Sequence, residues 1–284
     1  MATAVAAGVW HRVRHGAYIL AELWQALDEV GRYRVRIKAV QRSLGSKVAL
    51  SHVSASVVHG VDVWGIDLSR VHVTRLDGGP GRVEGDVVHH EGFCLKDDLV
   101  EIDGHLVVKP ERAAIEALAR ANGEVALAHF DSVLHKKLCT PDALMGQFKL
   151  MSRWPFTQHL HVPVRLADGR SASIGESRGR WLCKVCRIPM PELQHKIFGP
   201  DGRLVAVCDW YWPGQGWGEF DGELKYGRAL LPGQAPGEVV FAEKRREDLI
   251  REVTDLPGIR VVWRDYERPK VLAARFERLL FRAA

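Results

Sequence analysis

WGEFDGELKYG, residues 217–227, carries two acids two positions apart, Glu219 and Asp221, followed by Lys225. Side chains alternate along a strand, so these three share one face for as long as the strand stays regular. Trp217, Phe220 and Tyr226 give the stretch an apolar side, which fits a partly buried strand. The segment is therefore either the polar edge of a hairpin or a strand that holds a cation. The elements on either side decide between the two.

Upstream, SIGESRGRWLCKVCRI predicts a helix with Trp181, Leu182 and Val185 inward. PELQHKIF predicts a strand, GPDG a turn and RLVAVCDWYW a second strand, which PGQG joins to the third. Downstream, a loop rich in Gly and Pro precedes a helix, VVFAEKRREDLIREV. IRVVWRDY then predicts a fourth strand and PKVLAARFERLLFR a closing helix. The order is α-β-β-β-α-β-α.

Four carboxylates fall at telling places in that order. Glu176 is on the first helix, and Asp209 ends the apolar run LVAVC of the second strand. Glu219 and Asp221 face one way on the third. Adjacent antiparallel strands can bring Asp209 and Glu219 to one cation, and Mg²⁺ (or Mn²⁺) needs only two or three hard oxygen ligands because it keeps several waters. Such an ion polarises a phosphodiester and helps generate hydroxide, while a lysine stabilises the developing charge. The competing reading of the acids is a polar pocket closed by ion pairs. Alternation places Tyr211 on the side of Asp209, and sends Trp210 and Trp212 to the opposite, core side.

The rest of the chain is basic at its start. From Trp10 to Lys47 there are eight Lys/Arg against three acids, an excess equal to the net charge of +5 for the whole chain. Such a patch attracts phosphate backbones. GVWHRVRHGAYIL predicts a hairpin presenting Arg12 and Arg14, and RYRVRIKAVQRSL a helix with Val35, Ala39 and Val40 inward. Arg32 and Arg36, four apart, share a face of that helix with Lys38 nearby. Ser51 is placed to cap a short helix. SRVHVTRL and GDVVHHEGF read as strands around DGGPG, and DDLVEIDGHLVV as a hairpin turning at Asp103-Gly104. KPERAAIEALARAN and GEVALAHFDSVLHK read as helices.

Length and composition bound the remainder. The 284 residues suffice for about two domains, and 46% are hydrophobic. No run approaches the roughly 18 apolar residues of a membrane span, and the N-terminus lacks a signal-peptide core. Five cysteines, an odd number, imply reduced thiols and a cytoplasmic setting. Cys183-x-x-Cys186 has no second pair and reads as helix core rather than a zinc site. His89, His90 and Glu91 alternate across a strand and read as a polar strand end.

The order α-β-β-β-α-β, with an acid on the helix, Asp209 on strand two and Glu219-x-Asp221 on strand three, resembles the PD-(D/E)XK nuclease superfamily, most closely its very-short-patch-repair type. The resemblance makes Asp209 the first motif acid and Glu219 the second. Asp221 stands where the lysine belongs, so Lys225 or Lys244 is the substitute the resemblance implies. Over nearly the whole chain, HRVRHGAYI, LSHVSASVVHG, VEIDGHLVVKPERAAIEALAR, IGESRGRWL, PMPELQ and EFDGELKYG…EKRRED are similar to an actinobacterial family of AbiEi-like, type IV antitoxin-labelled proteins. In that family the basic hairpin is the wing of a winged helix; only nine residues precede Trp10, so the helix-turn-helix is expected to be truncated.

The expected fold class is thus α+β. It comprises a basic wing and helix over 1–45, a middle α/β unit over 46–160, and a restriction-endonuclease-like domain over 161–284. The expected activity is Mg²⁺-dependent DNA endonuclease action in phage defence or mobile-element conflict, with Glu176, Asp209, Glu219 and Asp221 on the metal and Lys225 or Lys244 beside it. Arg12, Arg14, Arg32, Arg36 and Lys38 would hold nucleic acid. The alternative is a non-catalytic DNA-binding regulator of antitoxin type with an inactive nuclease fold and a cognate toxin protein as partner. RNA is a further target class, and no membrane role is expected.

Overall fold

The computed structural model describes residues 5, 7–45, 47–222 and 236–281, with the backbone alone for 236–244. The chain is α+β and divides into two compact units, Met1–Ala167 and Asp168–Ala284. Among the described residues no helix is long and apolar enough to cross a membrane.

The N-terminal unit begins with the expected hairpin, β1 (Trp10–Arg14) and β2 (Ala17–Leu20), followed by α1 (Ala21–Ala26) and α2 (Glu29–Gln41). Asp28 caps α2 through its carboxylate, which accepts from the Gly31 amide at 2.7 Å. The buried face of α2 is Tyr33, Ile37 and Val40 rather than Val35, Ala39 and Val40. The spacing of the bulky residues, four and then three, selects the stripe, and Val35 and Ala39 fall on the other side of the helix, half-buried.

A six-stranded sheet follows, in the order β5-β6-β4-β3-β8-β7. Its strands are β3 (Val48–Leu50), β4 (Val71–Arg75), β5 (Arg82–Glu84), β6 (Val87–His90), β7 (Leu99–Ile102) and β8 (His105–Val108). The β7–β8 turn puts Asp103 and Gly104 at φ 50° and 75°, the two positive angles of a tight hairpin turn. β4 and β6 pair in parallel, because the added short strand β5 reverses the chain between them. Helix α3 (His52–Val58) leaves β3 directly; Ser51 occupies its N-cap, but the hydroxyl makes no capping bond and instead lies 3.0 Å from His52 Nδ1. Helices α4 (Pro110–Leu118), α5 (Gly123–His135), α6 (Pro141–Met151) and α7 (His161–Leu166) build a second core around Ile115, Phe130, Leu144 and Leu160. The last two helices are not foreseen in the sequence reading.

The C-terminal unit has the order α-β-β-β-α-β-α: α8 (Ile174–Cys186), β9 (Glu192–Phe198), β10 (Leu204–Trp212), β11 (Gly216–Asp221), α9 (Pro236–Thr254), β12 (Gly258–Val262) and α10 (Pro269–Leu280). The sheet order is β12-β11-β10-β9, with β9, β10 and β11 antiparallel and β12 parallel to β11. Trp210 and Trp212 are buried against Phe276, as alternation requires. Helix α8 buries Glu176, Gly179, Leu182 and Cys183, whereas Val185 is exposed and Trp181 half-buried. The glycines set that face: a Cβ at Gly175 would run into Phe220 and one at Gly179 into Trp210, so the helix lies against the sheet along its glycine side. All five cysteines are free thiols, with Cys183 buried in this core and Cys186 packed beside it.

Candidate metal and nucleic-acid sites

On β10 and β11 the pairs Trp210–Gly218 and Tyr211–Trp217 are in register, which sets Asp209 opposite Glu219 on the next rung. The two carboxylates therefore share a face of the sheet, and Asp221 follows on that face by alternation. Asp209 Oδ2 accepts the Phe220 amide at 2.7 Å, which locks the side chain across the strand pair. Val207, Asp209, Glu219 and Asp221 line a small cavity of about 80 Å³, with Arg246 of α9 and Arg260 of β12 on its other walls.

Glu176 enters from α8. It is a reciprocal cap: Ser173 Oγ accepts the Glu176 amide at 3.2 Å and donates to Glu176 Oε1 at 2.8 Å, while the Ala172 amide donates to Oε2 at 2.9 Å. The Gln194 side-chain amide of β9 joins this acid to the strand acid, donating to Glu176 Oε2 at 3.1 Å and to Asp209 Oδ1 at 3.2 Å. Gln194 holds φ at 51°, a strained backbone for a residue with a side chain, and the strain aims its amide between the two acids. Burial, and then the Asp209 charge, push the Glu176 carboxyl up to about 7.

Guanidinium groups hold the other half of the cluster. Arg246 Nη2 donates to both Glu219 oxygens at 2.6 Å, and Arg260 reaches Glu219 at 3.8 Å and Asp221 at 3.4 Å. Burial raises the Glu219 carboxyl, and the Arg246 charge opposes that shift. Asp221 Oδ1 is buried with no hydrogen-bond partner among the described residues. Gln194, Arg246 and Arg260 were not singled out by the sequence reading. Arg260 had a signal there, a cation inside the apolar strand IRVV; Gln194 had none.

Lys225 lies outside the described residues. Lys244 belongs to α9, where residues 236–244 are described by backbone alone. The donor chemistry fits a hard cation such as Mg²⁺: carboxylates from two adjacent strands, an acid with a raised proton affinity and an unpartnered carboxylate oxygen. The oxygens are not drawn into a tight triad. Among the described residues, the one group of three ligand-type side chains with donor atoms within 4.8 Å of one another is His52, His72 and His90, in the N-terminal unit. An ion at the acids would thus be held by two carboxylates and retained waters.

The basic residues divide into two sets. Arg32 donates to the carbonyls of Trp24 and Gln25, Arg36 donates to the Leu68 carbonyl at 2.8 Å, and both guanidiniums lie over the Trp24 ring. His11 stacks on the same indole at 4.3 Å between ring centroids. Arg32 and Arg36 do share a face, but that face is spent on holding α1, α2 and the hairpin together. Arg14 pairs with Asp86 at 3.5 Å. Arg12 and Lys38 are exposed, with Arg12 3.4 Å from His15. On the sheet face of the C-terminal unit, Tyr211 stacks on His195 at 3.9 Å.

At the strand end, His89 and His90 face opposite ways, as alternation requires. His89 faces Glu84, while His90 turns to the other side and meets His72, with Nε2 to Nδ1 at 2.9 Å.

Two Mycobacterium tuberculosis proteins, from strains CDC 1551 and H37Rv and each described as uncharacterized, are 25% identical to the chain over 203 residues, covering 71% of it and 69% of each of them. No family model and no solved structure matches the chain.

Proposed function

We propose that the C-terminal unit is a PD-(D/E)XK-type, Mg²⁺-dependent nuclease domain acting on DNA. The observation that carries the reading is Asp209 set opposite Glu219 on adjacent antiparallel strands, with Glu176 tied to Asp209 through one amide. The strand order, with β12 parallel to β11 across a helical crossover, supports it.

In this reading Asp209 and Glu219 would hold the cation, with Glu176 kept beside them through Gln194. When bound, the ion would supply Lewis-acid polarisation of the phosphodiester and a lowered pKa for its water. Arg246, whose side chain is 44% exposed, reaches from Glu219 toward solvent and neutralises phosphate charge as it develops. It takes the part of the missing lysine at position 221, with Lys225 and Lys244 as further candidates. Gln194 positions Glu176 against Asp209. In this reading the activity serves phage defence or mobile-element conflict, the role that the family resemblance implies.

One observation favours the second reading, a non-catalytic DNA-binding regulator with a cognate toxin. The Arg246 and Arg260 guanidiniums already compensate Glu219 and Asp221, as fixed ion pairs do in a structural pocket. The test is incubation with plasmid, single-stranded DNA and RNA in Mg²⁺, Mn²⁺ or EDTA. The nuclease reading expects metal-dependent cleavage of DNA, lost in Asp209→Asn and in Glu219→Gln while DNA binding persists. Binding without cleavage in any metal supports the regulator, and cleavage of RNA alone replaces DNA as the substrate.

A further inference from the structure

We infer that His52, His72 and His90 form a second metal site, for one zinc-class transition-metal ion, on the wall of the large cavity of the N-terminal unit. The inference is independent of the nuclease reading. It starts from topology. His52 begins α3 directly after β3, His72 lies on the neighbouring strand β4, and His90 ends β6, which pairs in parallel with β4. The register sets His72 beside Val88, so His72 and His90 project from the same face of the sheet. Their donor atoms and that of His52 all lie within 4.8 Å of one another. His72 Nδ1 and His90 Nε2 share a hydrogen bond at 2.9 Å, which an ion would replace by displacing the shared proton.

The surroundings are those of a ligand set. His52 Nδ1 faces Ser51 Oγ at 3.0 Å and the Glu116 carboxylate at 3.5 Å, and its own amide donates to the same carboxylate at 3.2 Å. This is the outer-shell partner that orients a metal-binding imidazole, and it leaves Nε2 for the ion. Glu116 is in turn fixed by Arg112 at 2.8 Å, which also holds Asp98 at 2.7 Å. His52 sits at φ 52°, a strained conformation that carries its ring to the other two; its ring stacks on His90 at 3.6 Å between centroids. All three imidazoles are held below the ordinary histidine range, chiefly by burial; His90 falls to about 4.

Three imidazoles without a charged ligand suit zinc and its neighbours rather than Mg²⁺ or Ca²⁺. The cavity they face, about 630 Å³, also presents Arg120, Trp154 and Phe156. Three protein ligands beside a cavity leave a coordination position open to water or a small ligand.

The experiment is a Co²⁺ titration of EDTA-treated, full-length protein followed by visible absorption, with Zn²⁺ displacement. It is run in an Asp209→Asn/Glu219→Gln background so that the acid cluster contributes nothing. One Co²⁺ per chain with the intense bands of a low-symmetry site, displaced by Zn²⁺, is expected. His72→Gln and His90→Gln should each weaken binding by at least about 100-fold, since loss of an outer-shell partner alone costs about 10–100-fold. His89→Gln, on the opposite face, should change nothing, and melting in EDTA checks that each variant is folded. No bound Co²⁺ in the parent protein, or equal binding by folded His72→Gln and His90→Gln, overturns the inference. So does an equal loss in His89→Gln. If both variants fail to fold, the stoichiometry of the parent decides.

Discussion

In the N-terminal unit three imidazoles meet beside a sheet, backed by a buried Arg112–Glu116 pair; in the C-terminal unit carboxylates meet guanidiniums on a sheet face. Each cluster uses alternation on neighbouring strands to aim its side chains, and each includes one strained non-glycine backbone, His52 or Gln194. The difference lies in how charge is settled. Burial disfavours the charged form of the imidazoles, which have the Arg112–Glu116 ion pair behind them and share their cavity with Asp67, Glu91 and Arg120. The acids rely on Arg246, on Arg260 and on the proton affinity of Glu176. A nitrogen-lined site selects a soft or borderline ion, and an oxygen-lined site with excess negative charge selects a hard one.

The largest expected effect separates the two ion pairs. Arg112 is 4% exposed and Glu116 2%, so Arg112→Ala leaves a carboxylate buried and unpaired, and should cost about 3–5 kcal/mol in denaturant unfolding. Arg246 is 44% exposed, and Arg246→Ala should cost only about 1 kcal/mol. Equal losses would mean that the two pairs are equally desolvated, and the contrast between the clusters would fail.

A smaller effect is read from pH. Glu176 binds its proton more tightly in the folded protein, up to about 7, than in the unfolded chain, near 4.5. Its contribution to stability is therefore complete below the unfolded value and is lost as pH rises through the folded one. Glu176→Gln removes that dependence. Its melting temperature relative to the parent protein should rise between about pH 5 and about pH 8 in metal-free buffer. A difference that is flat over this range would show that Glu176 is already ionised at low pH.

The smallest effect concerns the basic segment. Arg36 donates to the Leu68 carbonyl and covers Trp24, so Arg36→Ala should lower stability by about 1 kcal/mol. Arg12 is exposed, and Arg12→Ala should leave stability unchanged while reducing the slope of log affinity against log salt for DNA by about one. A reversed outcome would exchange their structural and binding roles.

These contrasts bear on what a sequence discloses. Asp209, Glu219 and Asp221 were legible because period-two alternation is local: WGEFD and LVAVCDW fix the face of each acid without any knowledge of pairing. Trp210 and Trp212 were legible for the same reason. His52, His72 and His90 were not, because their meeting depends on a parallel β4–β6 pairing that the short strand β5 creates, and on one positive φ at a histidine. The pairing of Arg246 with Glu219 spans 27 residues and no spacing rule reaches it. Helix faces were read only in part. Gly175 and Gly179, rather than the apolar residues Trp181 and Val185, mark the buried side of α8, since close backbone approach outweighs side-chain size there.

The central claim is that Asp209 and Glu219 together hold a hard divalent cation. Its most direct test is Mn²⁺ binding by calorimetry, with the melting temperature followed in parallel, on the parent protein and on Asp209→Asn/Glu219→Gln. Both proteins carry His72→Gln so that the imidazole cluster is silent. The account predicts that the parent protein binds Mn²⁺ and melts at a higher temperature with it, and that the paired substitution abolishes both effects. Mn²⁺ binding that survives the loss of both carboxylates, or a parent protein that binds none, would contradict it.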